Sequence, residues 1–170
     1  MRVVSVELFT FDELSDKAKE VARTWFRDGF DYPWWSEALA SIKAFCEHFG
    51  VKLVDYEISI ARPYHFKTDA CNAHFRGVNI SDCMKDEPPF PNTGYGLDYT
   101  LYDTFRKAFQ ATGDAKWAFN QAMHAAFRDI VSDIEWHYSD AAVDEMMFIN
   151  EYEFTADGRY SGRFNWKQPS

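Results

Sequence analysis

Apolar residues recur along this chain with two spacings, every three to four residues in some stretches and every second residue in others. The helical spacing appears first in TFDELSDKAKEVARTWFRDGF. There Ala18, Val21, Ala22 and Trp25 fall on one side, and Lys17, Lys19, Glu20, Arg23 and Arg27 take the other. Thr10 and Glu13 have the separation of a capping box, Ser15 offers a second N-cap, and Gly29 is a natural stop. DYPWW then predicts a turn into a second helix over 34–49, with Trp35, Leu39, Ile42, Cys46 and Phe49 along one face and Gly50 where a C-cap glycine belongs. DYTLYDTFRKAFQATG predicts a helix ending at Gly113. Asp114 then caps a long helix over 115–138, whose apolar stripe is Phe119, Met123, Ala126, Phe127, Ile130 and Ile134. Ser139 caps a short one, SDAAVDEMMFIN.

Strand signals lie between these helices. Residues 3–9 (VVSVELF) and 52–61 read as strands, with Pro63 ending the second. NAHFRGVNI (72–80) reads as a third, with Gly77 as a bulge. SDCMKDEPPFPNTGYG is an irregular excursion. YEFTADGRYSGRF reads as strand, Asp-Gly turn, strand. The order β-α-α-β-β-α-α-α-β-β predicts one α+β domain over 1–170, a small, mainly antiparallel sheet with about five helices packed on it.

Charge changes this picture in one place. The chain has 27 acidic and 18 basic residues. Residues 129–157, DIVSDIEWHYSDAAVDEMMFINEYEFTAD, hold nine of the acids and no Lys or Arg, so the remainder is balanced and this segment carries the whole net charge of −9. An acidic balance with no basic run argues against direct nucleic-acid binding, which needs a cationic footprint. No apolar window reaches the length of a membrane span, and the N-terminus has none of the features of a signal peptide. Three Cys are too few for a disulfide framework, which points to a reducing cytoplasm. The aromatic share of 18% suits a ring-packed core and leaves rings for an interaction surface.

Candidate chemistry is sparse. Cys71 and His74 have a C-x2-H spacing, with His65 and Cys83 nearby, but structural zinc wants paired short spacings and only one pair is present. Asp129/Asp133 and Asp140/Asp144 are i,i+4 pairs of like charge, at a cost of about 0.2–0.5 kcal/mol each, and none lies in a calcium-loop pattern. Glu135 and His137 are two residues apart and do not face each other on a helix. No G-x-S-x-G turn is present, and TGYGLD lacks phosphate-loop spacing. No metal, cofactor or catalytic set is expected.

FDELSDKAKEVARTWFRDGFDYPWW and INEYEFTADGRY together resemble a family of small phage and prophage proteins. The first stretch matches F-x-E-L-S-x-x-A-K-x-x-A-R-x-W-[YF]-x-x-G through Phe11, Glu13, Leu14, Ser15, Ala18, Lys19, Ala22, Arg23, Trp25, Phe26 and Gly29. The second matches N-E-Y-E-F-T-x-D-G through Asn150 to Thr155, Asp157 and Gly158. Some members carry an antitoxin-like label. The resemblance implies a shared fold, a phage context and a cytoplasmic setting in the host, and brings no catalytic residues with it.

These readings meet in one expectation. The chain is a phage-encoded, non-enzymatic inhibitor of a host defence or toxin protein (a toxin, a nuclease, or a CRISPR effector in an anti-CRISPR role), and carboxylates on its surface stand in for nucleic-acid phosphates. The partner is a host protein with a basic, nucleic-acid-binding surface. Asp129, Asp133, Glu135, Asp140, Asp144, Glu145 and Glu151 supply the charge, and Trp136, Tyr138 and Tyr152 the anchors. Charge reversal at Asp129, Asp133, Asp140 and Asp144 is expected to abolish binding and to leave thermal stability intact. The alternatives are a small metal-dependent enzyme acting on a nucleotide and a structural protein that self-associates through exposed rings.

Overall fold

The computed structural model describes residues 5–59, 62–79 and 93–162. These form five α-helices and two two-stranded antiparallel sheets, an α+β fold. The expected single sheet is therefore two separate hairpin-sized sheets. The chain divides into two compact units. One combines residues up to Asp31 with those from Glu135 on, and the other runs from Tyr32 to Ile134.

In the first unit, strand β1 (Phe9–Thr10) pairs with β4 (Glu153–Phe154), in the register Phe9↔Phe154 and Thr10↔Glu153. The strand expected at 3–9 is thus only two residues long and later in the chain. Residues 1–4 lie outside the described residues. A 3-10 turn, Phe11–Glu13, follows β1. The Glu13 carboxylate accepts from the Thr10 backbone N–H at 2.9 Å and from its hydroxyl at 3.1 Å, the reciprocal contact that the capping spacing predicts. Ser15 caps helix α1 (Asp16–Gly29), its hydroxyl accepting from the Ala18 N–H. Both cap signals are therefore used, one for each helical piece. Two more helices belong here: the last turn of α4 (Ala115–Tyr138), from Glu135 on, and α5 (Asp140–Ile149), capped by Ser139.

The core of this unit is small. Phe11, Leu14, Ala18, Ala22, Val143, Met147 and Phe154 are buried, with Phe9, Phe26 and Tyr152 packed around them. On α1 only the two alanines of the expected stripe are buried, while Val21 and Trp25 are exposed. The small alanine face has a purpose. Gly158, at φ +85°, closes the turn after β4 directly against α1, and a Cβ there would lie 2.1 Å from the Ala18 carbonyl oxygen. No L-residue with a side chain fits. The expected final hairpin is present as β4, the Asp-Gly turn, a Thr155 N–H bond to Arg159 O at 2.9 Å and a single bridge between Phe154 and Tyr160. Residues 163 and 164 of the predicted returning strand lie outside the described residues.

The second unit packs helices α2 (Trp35–His48), α3 (Leu97–Thr112) and the body of α4 with a hairpin of β2 (Leu53–Ser59) and β3 (Arg62–Thr68). α2 ends in a Schellman turn. Gly50 takes φ +64°, its N–H bonds Glu47 O at 2.9 Å, and the Val51 N–H bonds Cys46 O at 2.9 Å. β2 and β3 pair from Leu53↔Thr68 to Ser59↔Arg62 with two register shifts. Pro63 thus lies inside β3 and does not close a strand. Both strands of a two-stranded sheet are edges, where a missing N–H is tolerated. The strand expected at 72–80 is also corrected. Residues 72–77 are consecutive turns, with Gly77 at φ +81°, and residue 80 lies outside the described residues.

The core of this unit is a mass of rings. Phe45 stacks on Phe119 with centroids 5.2 Å apart, and Phe49 and Phe105 close around them. The predicted stripe of α4 is buried from Phe119 to Ile130, and Ile134 packs at its margin. Gly113, at φ +68°, and Asp114, whose carboxylate accepts the Trp117 N–H at 2.9 Å, separate α3 from α4 as the spacing predicts. The TGYG stretch folds onto buried Asp98. That carboxylate accepts from the Thr93 N–H at 2.7 Å and the Gly94 N–H at 3.0 Å, and Thr93 in turn meets buried Ser41 of α2 at 2.8 Å. Buried polar groups are thus satisfied by one another.

Candidate functional site

The acidic segment spans both units. Asp129 and Asp133 belong to the second, and Glu135 onward belongs to the first. In the first unit Asp140 and Asp144 are paired within the fold while Glu135 and Glu145 are exposed, and in the second unit both acids hold a hydroxyl.

In the first unit Asp140 and Asp144 are used. Asp144 takes the Arg23 guanidinium through two parallel bonds, from Nε to Oδ1 at 2.7 Å and from Nη2 to Oδ2 at 2.7 Å. This is the fork-on-fork geometry that makes Arg–carboxylate pairs strong. Arg23 is only 15% exposed at its side chain, is also bonded by Glu20, and lies over the Phe11 ring at 5.7 Å. The bonds from Asp144 are the main reason its guanidinium is held still more firmly protonated than usual. Asp140 receives Arg27, whose Nε also bonds the Tyr138 carbonyl at 2.9 Å, and this pairing holds the Asp140 carboxyl below the usual carboxylate range. The segment lacks bases in its own sequence, but α1 brings two from more than a hundred residues away. Reversing the charge of Asp140 and Asp144 would therefore set like charges against Arg23 and Arg27, contacts that the expectation of unchanged stability did not include. Asp157 pairs with Arg159 at 2.8 Å, just beyond the segment.

The expected anchors also divide. Trp136 is 55% exposed. Tyr138 is used within the unit, edge-on to Phe30 at 5.2 Å and donating to its carbonyl at 3.4 Å. Tyr152 packs beside the core and edge-on to Trp25 at 5.9 Å. The sequence reading missed the outer face of α5. Ala142, Val143 and Met147 point inward, while Glu145, Met146, Phe148 and Ile149 are exposed, Phe148 at 65% and Ile149 at 62%. A signal for this existed in DEMMFIN. Once Val143 and Met147 set the buried side at i,i+4, Phe148 and Ile149 fall elsewhere by helical spacing. Glu135 and Glu145 are exposed and make no ion pair among the described residues. Glu151 is exposed and takes a left-handed φ of 50° where the chain leaves α5.

In the second unit Asp129 and Asp133 line one cavity of about 240 Å³ with Tyr32, Tyr95, Leu97 and Thr100. The i,i+4 spacing does bring this pair together. Each carboxylate already holds a hydroxyl. Thr100 donates to Asp129 at 2.7 Å, and Tyr32 donates to Asp133. Burial first, and then the bond to Asp133, hold the Tyr32 phenol protonated well above the usual range. Two acceptors facing two phenols suit a cationic or hydrogen-bond-donating group. No Cys, Ser, Lys or His lies among the described residues that line it.

Of the candidate zinc ligands, Cys71 Sγ lies 3.3 Å from His74 Nδ1, and that nitrogen also accepts the Cys71 N–H at 3.0 Å. His65 is exposed on β3, and Cys83 lies outside the described residues. Among the described residues no group of three His, Cys, Asp or Glu is placed to hold a metal ion. Cys46 is buried against Met123, and burial pushes its thiol up to about 12. No described helix is long and apolar enough to cross a membrane.

No protein-family model matches the chain, and neither a curated protein nor a solved structure matches it.

Proposed function

We propose that this chain is a non-enzymatic binding protein that inhibits a host defence or toxin protein through an acidic surface bearing exposed apolar anchors. The observation that carries this reading is the outer face of α5. Phe148 and Ile149 are nearly two-thirds exposed beside Glu145, which no cation neutralises among the described residues. Large apolar side chains held out in water beside unpaired charge lower solubility and add nothing to the fold, which is the mark of an interaction surface. Trp136, Glu135 and Glu151 extend the acidic and aromatic character of the unit. Such a surface repels phosphates and attracts proteins that bind them, so the partner is a basic, nucleic-acid-handling host protein. The phage setting rests on the resemblance of the two end stretches to phage and prophage proteins. Antitoxin-like and anti-CRISPR roles are special cases of this inhibition.

Affinity capture from host lysate at low and moderate salt, with mass spectrometry of what is bound, tests the reading. The expected result is one basic nucleic-acid-handling protein, recovered at low salt and weakened as salt rises. Recovery of no specific protein at either salt overturns it.

A second reading, a small metal-dependent enzyme acting on a nucleotide, draws on the cavity that Asp129 and Asp133 share with Tyr32 and Thr100. It predicts nucleotide turnover in the presence of magnesium that stops with a chelator and with Asp133→Asn. A flat result across a nucleotide panel removes it.

A further inference from the structure

We infer that the outer face of α5 is a docking ridge, and that its occupant is a groove on a partner protein with an apolar floor and Lys/Arg rims. The inference rests on the reading of the chain as a binding protein and adds the shape of what this face docks into.

Helix geometry makes the ridge. Glu145 and Ile149 are four residues apart and Glu145 and Phe148 three, so the three side chains emerge on one side of a ten-residue helix. Met146 lies one turn before Ile149 and is exposed as well. The opposite side of the same helix is already spent on Val143 and Met147 in the core. A helix apolar on both sides is normally buried on both sides. Here the second side is open among the described residues.

Charge selects the occupant. Glu145 sits within the ridge and Glu135 is exposed in the same unit, while two cations of α1, Arg23 and Arg27, are held by Asp144 and Asp140. A second copy docking by two-fold symmetry would bring like ridges together and oppose Glu145 to its own equivalent, which costs energy as the site desolvates. Nucleic acid and anionic lipid present phosphates, which the same carboxylates repel. A protein groove with an apolar floor receives Phe148 and Ile149, and Lys or Arg at its rim meets the carboxylates. This is the helix-in-groove mode, with anchors at i, i+3 and i+4.

The test places a photoreactive benzophenone side chain at position 148, or at exposed Tyr99 as a control, in the full chain mixed with host lysate. The capture is repeated with F148A/I149A and with E145K. The expected result is a cross-link from position 148 and not from 99, mapping to a Lys/Arg-bearing segment of the captured basic protein. F148A/I149A should lower recovery at least about ten-fold, as truncation of central anchors does, with an unchanged melting temperature. E145K should lower it further as salt is removed. Recovery by both variants equal to that of the unaltered chain overturns the ridge and leaves the binding reading standing. A cross-link to a second copy overturns it in favour of self-association. Capture of nothing by the unaltered chain removes the binding reading and the ridge with it.

Discussion

The two units of this protein are stabilised in different ways. The unit from Tyr32 to Ile134 has twenty buried apolar residues among those described, with stacked and edge-on phenylalanines at its centre. The unit made from the two ends of the chain has eight. It compensates with directional interactions: two helix caps, a bidentate Arg–Asp pair, a second Arg–Asp pair and a glycine turn set against a helix backbone. A large apolar core tolerates small changes in any one contact, whereas a small core held by specific polar geometry depends on each. Exposed Phe148 and Ile149 belong to the unit with the smaller core.

This contrast can be broken or sharpened by four experiments, from the largest effect to the smallest. Phe119→Ala removes a fully buried ring from the middle of the larger core. It should cost about 3–5 kcal/mol in denaturant unfolding, because the cavity cannot collapse around neighbouring rings. A loss below about 1 kcal/mol would mean the ring cluster is loosely packed. Gly158→Ala tests the smaller unit. The residue must keep φ +85° and its Cβ would meet the Ala18 carbonyl, so a loss of at least about 2 kcal/mol is expected. If the variant melts with the unaltered protein, the turn does not pack on α1 as described.

Asp144→Ala strips the fork partner from partly buried Arg23 and should cost about 1–2 kcal/mol, less than a buried pair because Asp144 is partly solvated. The companion change Arg23→Met, which removes the cation as well, should recover part of that loss. No recovery would show that the Arg23 stem, rather than its charge, holds α1. The smallest effect is a pH dependence. Pairing with Arg27 lowers the Asp140 carboxyl in the folded state. A lowered acid contributes its stability above the unfolded value, near 4, and loses it as pH falls through the folded value. The stability difference that melting curves read between the unaltered protein and Asp140→Asn should therefore be largest at pH 7 and shrink as pH falls through the folded-state value of Asp140. A difference that does not shrink as the solution is acidified would assign the effect to something other than this charge.

Local signals were legible wherever one residue decides a boundary. Ser15, Asp114 and Ser139 cap the helices they were expected to cap, and Gly50 and Gly113 end the helices they were expected to end, because capping is settled within four residues of chain. Strands were less legible. A strand is defined by its partner, so residues 72–77 became turns, Pro63 entered β3, and one expected sheet became two. The acidic segment was correctly noticed and only partly understood. Its composition marks it, but whether a carboxylate faces water or a guanidinium depends on what α1 brings to it.

By itself, then, the sequence determined where the helices start and stop, that the fold mixes helices with a little antiparallel sheet, and where the net charge lies. Each of these follows from interactions between residues close in the chain, or from simple counting. The tertiary structure decided which acids remain available, which aromatic residues became internal supports, and that Phe148 and Ile149 would stand outside. Those outcomes depend on side chains more than a hundred positions apart arriving within hydrogen-bonding distance, and no local pattern encodes that arrival.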